Sequence, residues 1–175
     1  TADGNFRFTQ VDGSSYTISS TSFDVPSYGD RKVGDLDSAP NPSFVDRKIR
    51  DIFFHRNRLG FISGEAVVMS RAGEFFKFFP ETVTTILDSD PIDVNVSHVK
   101  VSNLRHAIPF NEELLLFSDQ TQFVMSGANI LTPSNIVINA TTEFESSLDA
   151  KPVSAGRNVF FAFNKGNFTG VGEYY

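Results

Sequence analysis

The sequence predicts an all-β protein made of repeated four-stranded antiparallel units, arranged as a partial β-propeller. One segment occurs three times, each copy holds a polar turn between two short apolar runs, and no long window has a helical period. The copies recur at spacings of 55 and 45 residues, and a period of about 45 to 55 residues is the length of a propeller blade or a similar β repeat. Nineteen residues are Phe and none is Trp, which suits a β core filled by aromatic rings.

Three segments carry the repeat, and the middle one, residues 107–126, is the clearest: AIPFNEELLLFSDQTQFVMS. The copy before it covers residues 52–70, and the copy after it covers residues 152–171. Leu116 of the middle copy aligns with Phe61 of the first copy. Self-similarity at this spacing is the signature of an array of similar units.

Each copy of the repeat predicts a hairpin of two strands joined by a tight polar turn. Asn and Gly at such turns supply the positive φ angles that hairpins need. One residue inserted at Thr121 aligns the strands that follow the first two turns, so that Val67 corresponds to Phe123. The three turns are Ser63–Glu65, Ser118–Gln120 and Asn164–Asn167.

The chain divides into three predicted regions. Residues 1–25 form an N-terminal hairpin, with strands at Phe6–Thr9 and Tyr16–Ser20 around an Asp-Gly-Ser turn. Residues 26–43 are rich in Pro, Gly, Ser and Asp and are predicted to be a linker. Residues 44–175 hold the propeller-like repeats, about two and a half blades of four strands each. The chain begins without a clear start signal and ends after the third hairpin, so we expect a piece of a longer polypeptide.

Apolar runs between the hairpins predict the remaining strands. Phe44–Arg50 is expected to be a helical turn, and Glu74–Pro80, with the sequence EFFKFFP, a buried strand. Ile92–Val96 alternates apolar and polar residues, which predicts a strand with one buried face. Ile136–Ile138 and Thr141–Glu145 are predicted to be the corresponding strands before the third copy. Each repeat then has the four strands of a propeller blade.

Charge and composition exclude several classes of protein. The net charge is −6 and the isoelectric point is about 5.0, which argues against a dedicated nucleic-acid binder. The chain has no cysteine and no apolar run near the ~20 residues of a membrane span. One basic cluster is either a solvated strand edge or a contact for a partner or a phosphate. Its members are Arg47, Lys48, Arg50, Arg56 and Arg58.

Several titratable side chains are candidates for chemistry, but none of them forms a recognisable site. The aspartates lack the glycine and the final glutamate of a calcium loop, the histidines lack ligand spacing, and adjacent glutamates on a strand point to opposite faces. The sequence therefore predicts no catalytic, cofactor-binding or metal site, and no enzyme. The candidates are Asp88, Asp90 and Asp93; His55, His98 and His106; Glu112 with Glu113; and Glu143 with Glu145.

The pairs of adjacent Phe residues have two interpretations. They are either core residues between stacked sheets or a binding stripe on the surface, and packing between sheets is favoured. These pairs are Phe53 with Phe54, Phe75 with Phe76, Phe78 with Phe79, and Phe160 with Phe161.

Five motifs follow one another along residues 30–175: NPSF, HRNRLGF, AGEFF, DSDPID and PFNEELLLFSD. In this order they resemble the tail tubular protein B family, the nozzle proteins of short-tailed bacteriophages (podoviruses). The order makes the resemblance specific, since any one of the motifs alone is weak. Members of that family are several times longer, so the resemblance implies an internal fragment.

The resemblance implies a structural protein that assembles into a hexameric ring at the distal end of the tail tube. It implies contacts with the upper tail tubular protein and the tail fibres, and passage of phage DNA without specific binding. The protein would be made in the host cytoplasm and reside in the virion, with no membrane anchor. An acidic surface suits a conduit, because a basic lumen would hold phosphates. The alternative is a phage tail β-propeller that binds or hydrolyses host surface glycan.

Overall fold

The computed structural model describes residues 7–19, 29–98, 103–147 and 149–175, and all regular structure in these residues is β. The prediction of an all-β fold of repeated antiparallel units is therefore confirmed. An N-terminal hairpin and three larger sheets, here called sheets 1, 2 and 3, hold the strands. Sheets 1 and 2 each have four strands, and sheet 3 has three.

Within each sheet the strands follow one another in chain order, and every neighbouring pair is antiparallel. The N-terminal hairpin consists of β1 (Arg7–Gln10) and β2 (Tyr16–Ser19). Sheet 1 consists of β3 (Asp51–His55), β4 (Arg58–Ser63), β5 (Ala66–Met69) and β6 (Ile92–Asn95). Sheet 2 consists of β7 (Leu104–Phe110), β8 (Glu113–Ser118), β9 (Gln122–Ser126) and β10 (Val137–Thr142). Sheet 3 consists of β11 (Val153–Ala155), β12 (Asn158–Lys165) and β13 (Phe168–Tyr174).

The predicted turns join the second and third strands of each sheet. Sheet 3 differs from the others because its hairpin continues to the pair Lys165 and Phe168, so that β12 and β13 are longer than their counterparts. A second set of turns joins the first and second strands, and these turns also correspond. They lie between the paired residues His55 and Arg58, Phe110 and Glu113, and Ala155 and Asn158.

The strand register corrects one detail of the predicted repeat. Phe61 pairs with Val68 in sheet 1, and Leu116 pairs with Phe123 in sheet 2. Val68, and not Val67, therefore corresponds to Phe123, and the residue inserted at Thr121 is wrong. The error matters because a shift of one residue moves a strand's side chains to the opposite face.

The apolar segment Glu74–Pro80 forms turns, so the predicted buried strand there is wrong. Its rings fill a gap beside sheet 1 instead: the ring of Phe78 lies 5.2 Å from that of Phe44 and 5.4 Å from that of Phe61. The predicted helical turn at Phe44–Arg50 is a non-helical turn. The two strands predicted between Ile136 and Glu145 form one strand, β10, because that run pairs with β9 as far as Thr142.

The three sheets are stacked face to face, and their apolar side chains form three layers. The layer between sheets 1 and 2 includes Ile62, Val67, Met69, Leu114, Leu116, Phe123 and Met125. The layer between sheets 2 and 3 includes Ile108, Leu115, Phe117, Val124, Val159 and Phe161. The layer on the other face of sheet 1 consists of Phe61, Ala66, Val68 and Phe78, with Phe44 and Leu59 packed against them.

The division of the chain into three regions stays a prediction. The predicted N-terminal hairpin is present, although Phe6 and Ser20 at its ends lie outside the described residues. Residues 20–28, which include the first part of the predicted linker, also lie outside them. In the rest of that segment Ala39 is buried, and its carbonyl oxygen accepts a hydrogen bond of 2.7 Å from Arg31 Nε.

We expect Phe123→Ala and Phe61→Ala each to lower the free energy of unfolding by about 3 to 5 kcal/mol, because each removes a buried ring. Denaturant-induced unfolding measures the loss. Val137→Ala is the control, since this side chain is half exposed on β10 and its loss should stay within about 0.5 kcal/mol. A loss below about 1 kcal/mol at either Phe would contradict the assigned buried faces.

Candidate functional site

The most connected polar groups of the described chain lie where one sheet meets the next. The first connection starts at the turn between β3 and β4, where Arg56 and Asn57 both have positive φ angles, 46° and 59°. Arg56 donates two hydrogen bonds, of 3.0 and 2.8 Å, to the carbonyl oxygen of Glu112 at the corresponding turn of sheet 2. It donates further bonds to the carbonyl oxygens of Ala128 and Asn129, at 3.2 and 2.8 Å. Arg56 therefore ties two loops of sheet 2 to sheet 1.

Arg58 is the largest fully buried side chain of the described residues, with 1% of its surface exposed. Its guanidinium group is held by backbone carbonyl oxygens: those of Ser70 at 2.8 Å, Asp90 at 2.6 Å, Asp88 at 2.8 Å and Leu131 at 3.2 Å. Burial lowers the pKa of Arg58 from its usual value, and the nearby Asp90 carboxylate opposes this effect. The planar fork of arginine suits this role because it presents five donors in fixed directions. One side chain thus joins both ends of the β5–β6 connection of sheet 1 to one loop of sheet 2.

Two of the aspartates that were candidates for a calcium site accept hydrogen bonds from backbone amides. Asp90 is buried, and its Oδ2 accepts a hydrogen bond of 2.8 Å from the Leu87 amide. Asp93 Oδ2 accepts one of 2.7 Å from the amide of Ser43. In the described ranges no group of three or more His, Cys, Asp or Glu residues could hold a metal ion.

The three histidines have different surroundings. His55 is buried, and its pKa is lowered to about 4 by burial, with a smaller effect from the positive charge of Arg56. Its imidazole is therefore neutral near pH 7. His98 Nε2 lies 3.6 Å from Glu143 Oε1, and its ring packs edge-on against Phe123. His106 lies on β7, whose pairing is irregular between residues 104 and 106.

The two glutamates of each candidate pair lie in different surroundings. Glu112 lies in a turn, where its carboxylate is 3.7 Å from Arg56, whereas Glu113 begins β8 and is exposed. Glu143 lies beside His98. Glu145 lines an open depression of about 310 Å³ between sheets 2 and 3, together with Asp119.

A second junction lies at the first strands of the three sheets. Asp51, at the start of β3, accepts a hydrogen bond of 2.9 Å from the Ala107 amide of β7. The same carboxylate lies 2.6 and 2.8 Å from the ammonium group of Lys151, just before β11. Counted back from the corresponding turns, Asp51, His106 and Lys151 occupy the same position of the repeat. Sequence reasoning missed this junction, although the shared repeat position was a usable signal.

The basic cluster matches neither of its two interpretations as a whole. Arg47, Lys48 and Arg50 are exposed, as a solvated edge requires. Arg58 is buried and Arg56 is bound to carbonyl oxygens, so for these two residues the solvated-edge interpretation is wrong.

In most of the pairs of adjacent Phe residues, one ring is more deeply buried than the other. The buried members are Phe53, Phe78 and Phe161, while Phe54, Phe76 and Phe160 are exposed. Core packing therefore accounts for one ring in three of the four pairs. In the fourth pair Phe76 is exposed and Phe75 is only half-buried.

The whole chain, residues 1–175, matches the family model described as bacteriophage nozzle protein. The chain belongs to this family. It is also 41% identical over 174 residues to tail tubular protein gp12 of Escherichia phage T7. The match covers 99% of this chain and 20% of the phage T7 protein, so the chain spans about a fifth of that relative's length.

Membership of the nozzle family confirms the resemblance carried by the ordered motifs. The family is described as bacteriophage nozzle protein and the relative is named a tail tubular protein, and neither name describes a glycan-binding or hydrolytic activity. Within the described ranges, no helix is long and apolar enough to cross a membrane.

In this nozzle-family chain, we expect Arg58→Ala to lower the free energy of unfolding by about 3 to 5 kcal/mol, because it leaves several buried carbonyl groups without a donor. Arg58→Lys should restore only part of the loss, since an ammonium group lacks the planar fork. Arg56→Ala is the matched control, with an expected loss of about 1 to 2 kcal/mol because its bonds are solvent-exposed. Equal losses at the two positions would contradict the special role of Arg58.

The nozzle-family chain should also lose stability in acid through His55. The pKa of this group is 6.5 when unfolded and about 4 when folded, so the unfolded state binds more protons between these values. The free energy of unfolding should therefore fall as the pH is lowered from 6.5 to 4, by up to about 3 kcal/mol at 1.36 kcal/mol per pH unit. Above pH 6.5 the group has no such effect.

His55→Gln, which is neutral at every pH, tests this effect. Urea unfolding of both proteins at a series of pH values gives the two slopes. The variant should lose less stability than the wild type over that interval. Identical slopes would show that His55 is not the titrating group.

Proposed function

We propose that this chain is a structural segment of a phage tail nozzle, a ring of identical subunits through which DNA is ejected into the host. The observation that carries the proposal is the match of the whole chain to the bacteriophage nozzle family. The contacts between the sheets support it, because the arginines and the Asp51 carboxylate join neighbouring sheets of the same chain. Such a chain is suited to bearing load without moving.

The three sheets are consecutive blades of a β-propeller in this proposal, about two and a half blades in all. Two observations support that arrangement. Each sheet runs from its first strand to its last without a crossover, as a blade does. The first strands of the three sheets also meet, because Asp51 of β3 binds both the Ala107 amide of β7 and the Lys151 ammonium group beside β11. Blades around a propeller axis bring their first strands together in this way.

The regions of the chain then have separate roles. Residues 44–175 form the blades, residues 26–43 are a linker, and residues 1–25 are a hairpin from a preceding region. The proposed nozzle has no catalytic, cofactor-binding or metal site. Its work is rigidity and the docking of subunits.

The proposed partners follow from a position at the distal end of the tail. The subunit binds copies of itself in a hexameric ring, and the ring binds the upper tail tubular protein and the tail fibres. Phage DNA passes without specific binding, in agreement with the net charge of −6 of this chain. The protein is made in the host cytoplasm, resides in the virion and has no membrane anchor.

The proposal is tested by the solution mass and shape of the full-length protein. Light scattering over a concentration series should give a closed oligomer, and negative-stain electron microscopy should show rings with a central channel. Glu113→Ala should leave the rings unchanged, because this side chain is exposed at the start of β8. A full-length protein that stays monomeric at every concentration would overturn the proposed ring.

A further inference from the structure

A cavity of about 460 Å³ beside sheet 1 is lined by three cationic side chains, in a chain whose net charge is −6. Two segments form it: residues 29–32, and residues 71–81 of the connection between β5 and β6. A hydrogen bond of 2.9 Å from the Gly29 amide to the Phe76 carbonyl oxygen joins the two segments. The volume lies in the range of about 300 to 1,000 Å³ that is typical of sites for small ligands. The cations are Lys32, Arg71 and Lys77.

Arg71 is the buried cation of this cavity, with 6% of its surface exposed. Its contacts with the carboxylates of Glu74 and Glu81, at 2.5 and 2.6 Å, both use Nη1. Its Nε is buried and has no hydrogen-bond partner among the described residues. Buried N–H groups are nearly always paired, and Nε belongs to the planar fork with which arginine binds oxyanions. The lining of the cavity therefore includes a buried donor that an oxyanion can satisfy.

The two lysines bring their charges to the same place from different segments. Lys77 donates a hydrogen bond to Glu74, and Lys32 is exposed. The pKa of Glu74 is lowered first by that hydrogen bond from Lys77, and further by the charges of Arg71, Lys77 and Lys32. The three cations therefore lie close enough together to act on one bound group.

Positive side chains outnumber negative ones around the cavity. Against its three cations the lining has two acidic residues, Asp30 and Glu81, both of them exposed. Outside the lining, Glu74 adds one negative charge and Arg31 one positive charge. The Arg31 guanidinium group lies 5.1 Å from the centre of the Phe79 ring, which lines the cavity, and its hydrogen bonds are to neutral oxygen atoms. An anion bound here would offset the excess of positive charge.

We propose that this cavity binds a phosphate group. A phosphate has oxygen atoms in several directions and can accept hydrogen bonds from Arg71, Lys32 and Lys77 at once, whereas the two oxygen atoms of a carboxylate lie in one plane. Phe79 and Pro80 give an apolar wall to the molecule that carries the phosphate. That molecule is either a small phosphorylated compound or DNA, whose backbone offers the same chemistry. The site lies within one chain, so it does not depend on the assembly of a ring.

Amine labelling of the full-length protein tests the proposal residue by residue. The lysines are acetylated with and without inorganic phosphate, and mass spectrometry gives the rate at each position. Phosphate should slow the acetylation of Lys32 and Lys77, because a bound anion holds both amines in their protonated form. Lys48 is the matched reference, since it is exposed in a turn outside the cavity. Sodium chloride and sodium acetate at the same ionic strength are the control salts.

The controls define the results that would overturn the proposal. Unchanged rates at Lys32 and Lys77 would do so. Equal slowing at Lys48, or equal slowing by sodium chloride, would also do so, because it would show general screening of charge. Equal slowing by acetate would overturn the preference for phosphate over a carboxylate.

Two further ligands distinguish the sources of the phosphate. A nucleoside monophosphate and a short DNA duplex are compared at equal phosphate concentration. Protection of Lys32 by the monophosphate alone would support a site for a small phosphorylated compound, and protection by the duplex as well would support contact with the DNA backbone. Protection by neither would overturn the phosphate site.

Paired variants of the full-length protein give an independent measurement by titration calorimetry. Lys32→Gln should weaken the binding of inorganic phosphate about tenfold or more, because it removes a hydrogen bond to a charged group. Lys48→Gln should leave the affinity unchanged, and since both side chains are exposed, both variants should fold. Equal affinities for the two variants would overturn the proposal. Arg71→Lys retains the charge but lacks Nε, and an unchanged affinity in this variant, if folded, would overturn the role of that donor.

Discussion

A β-sheet with apolar side chains on both faces must be covered on both sides, and this constraint organises the described part of the chain. In sheet 2 the run from Leu114 to Phe117 is buried throughout, so alternate residues face sheet 1 and sheet 3. Burial of apolar surface stabilises the folded state by about 25 cal/mol per Å², but this effect is non-directional. Stacking three sheets satisfies the constraint for the middle sheet, and the turns around Phe44 and Phe78 satisfy it at one end.

Polar contacts fix the relative orientation of the sheets, which apolar stacking alone does not define. Arg58 has a defined set of carbonyl partners on two sheets, so a rotated or shifted stack would leave buried groups without hydrogen bonds. Arg56 and Asp51 add contacts at the turns and at the first strands. The apolar layers hold the sheets together, and these side chains fix how the sheets are placed relative to one another.

Local patterns in the sequence predicted the hairpins well, because turn residues and alternation act over a few positions. The hairpin of β8 and β9 and the strand at Ile92 follow from such patterns. Glu74–Pro80 was predicted wrongly, because adjacent Phe rings fill a gap from turns as readily as from a strand. The junctions could not be predicted locally, since the carbonyl partners of Arg58 lie 12 to 73 positions away. No local pattern marks a carbonyl group as the partner of a distant arginine.

The charges at the shared repeat position of Asp51, His106 and Lys151 have a consequence for folding. The three sheets are alike enough that any one of them offers a similar apolar face to the others, and repeat proteins are prone to incorrect pairing of their units. Asp51 and Lys151 attract each other across the first strands, so the correct order of units brings opposite charges together. A stack in which two copies of sheet 1 met in this way would instead bring two Asp51 carboxylates together, which repel each other. Divergence at this one position therefore distinguishes units of similar shape and favours one order of sheets along the stack.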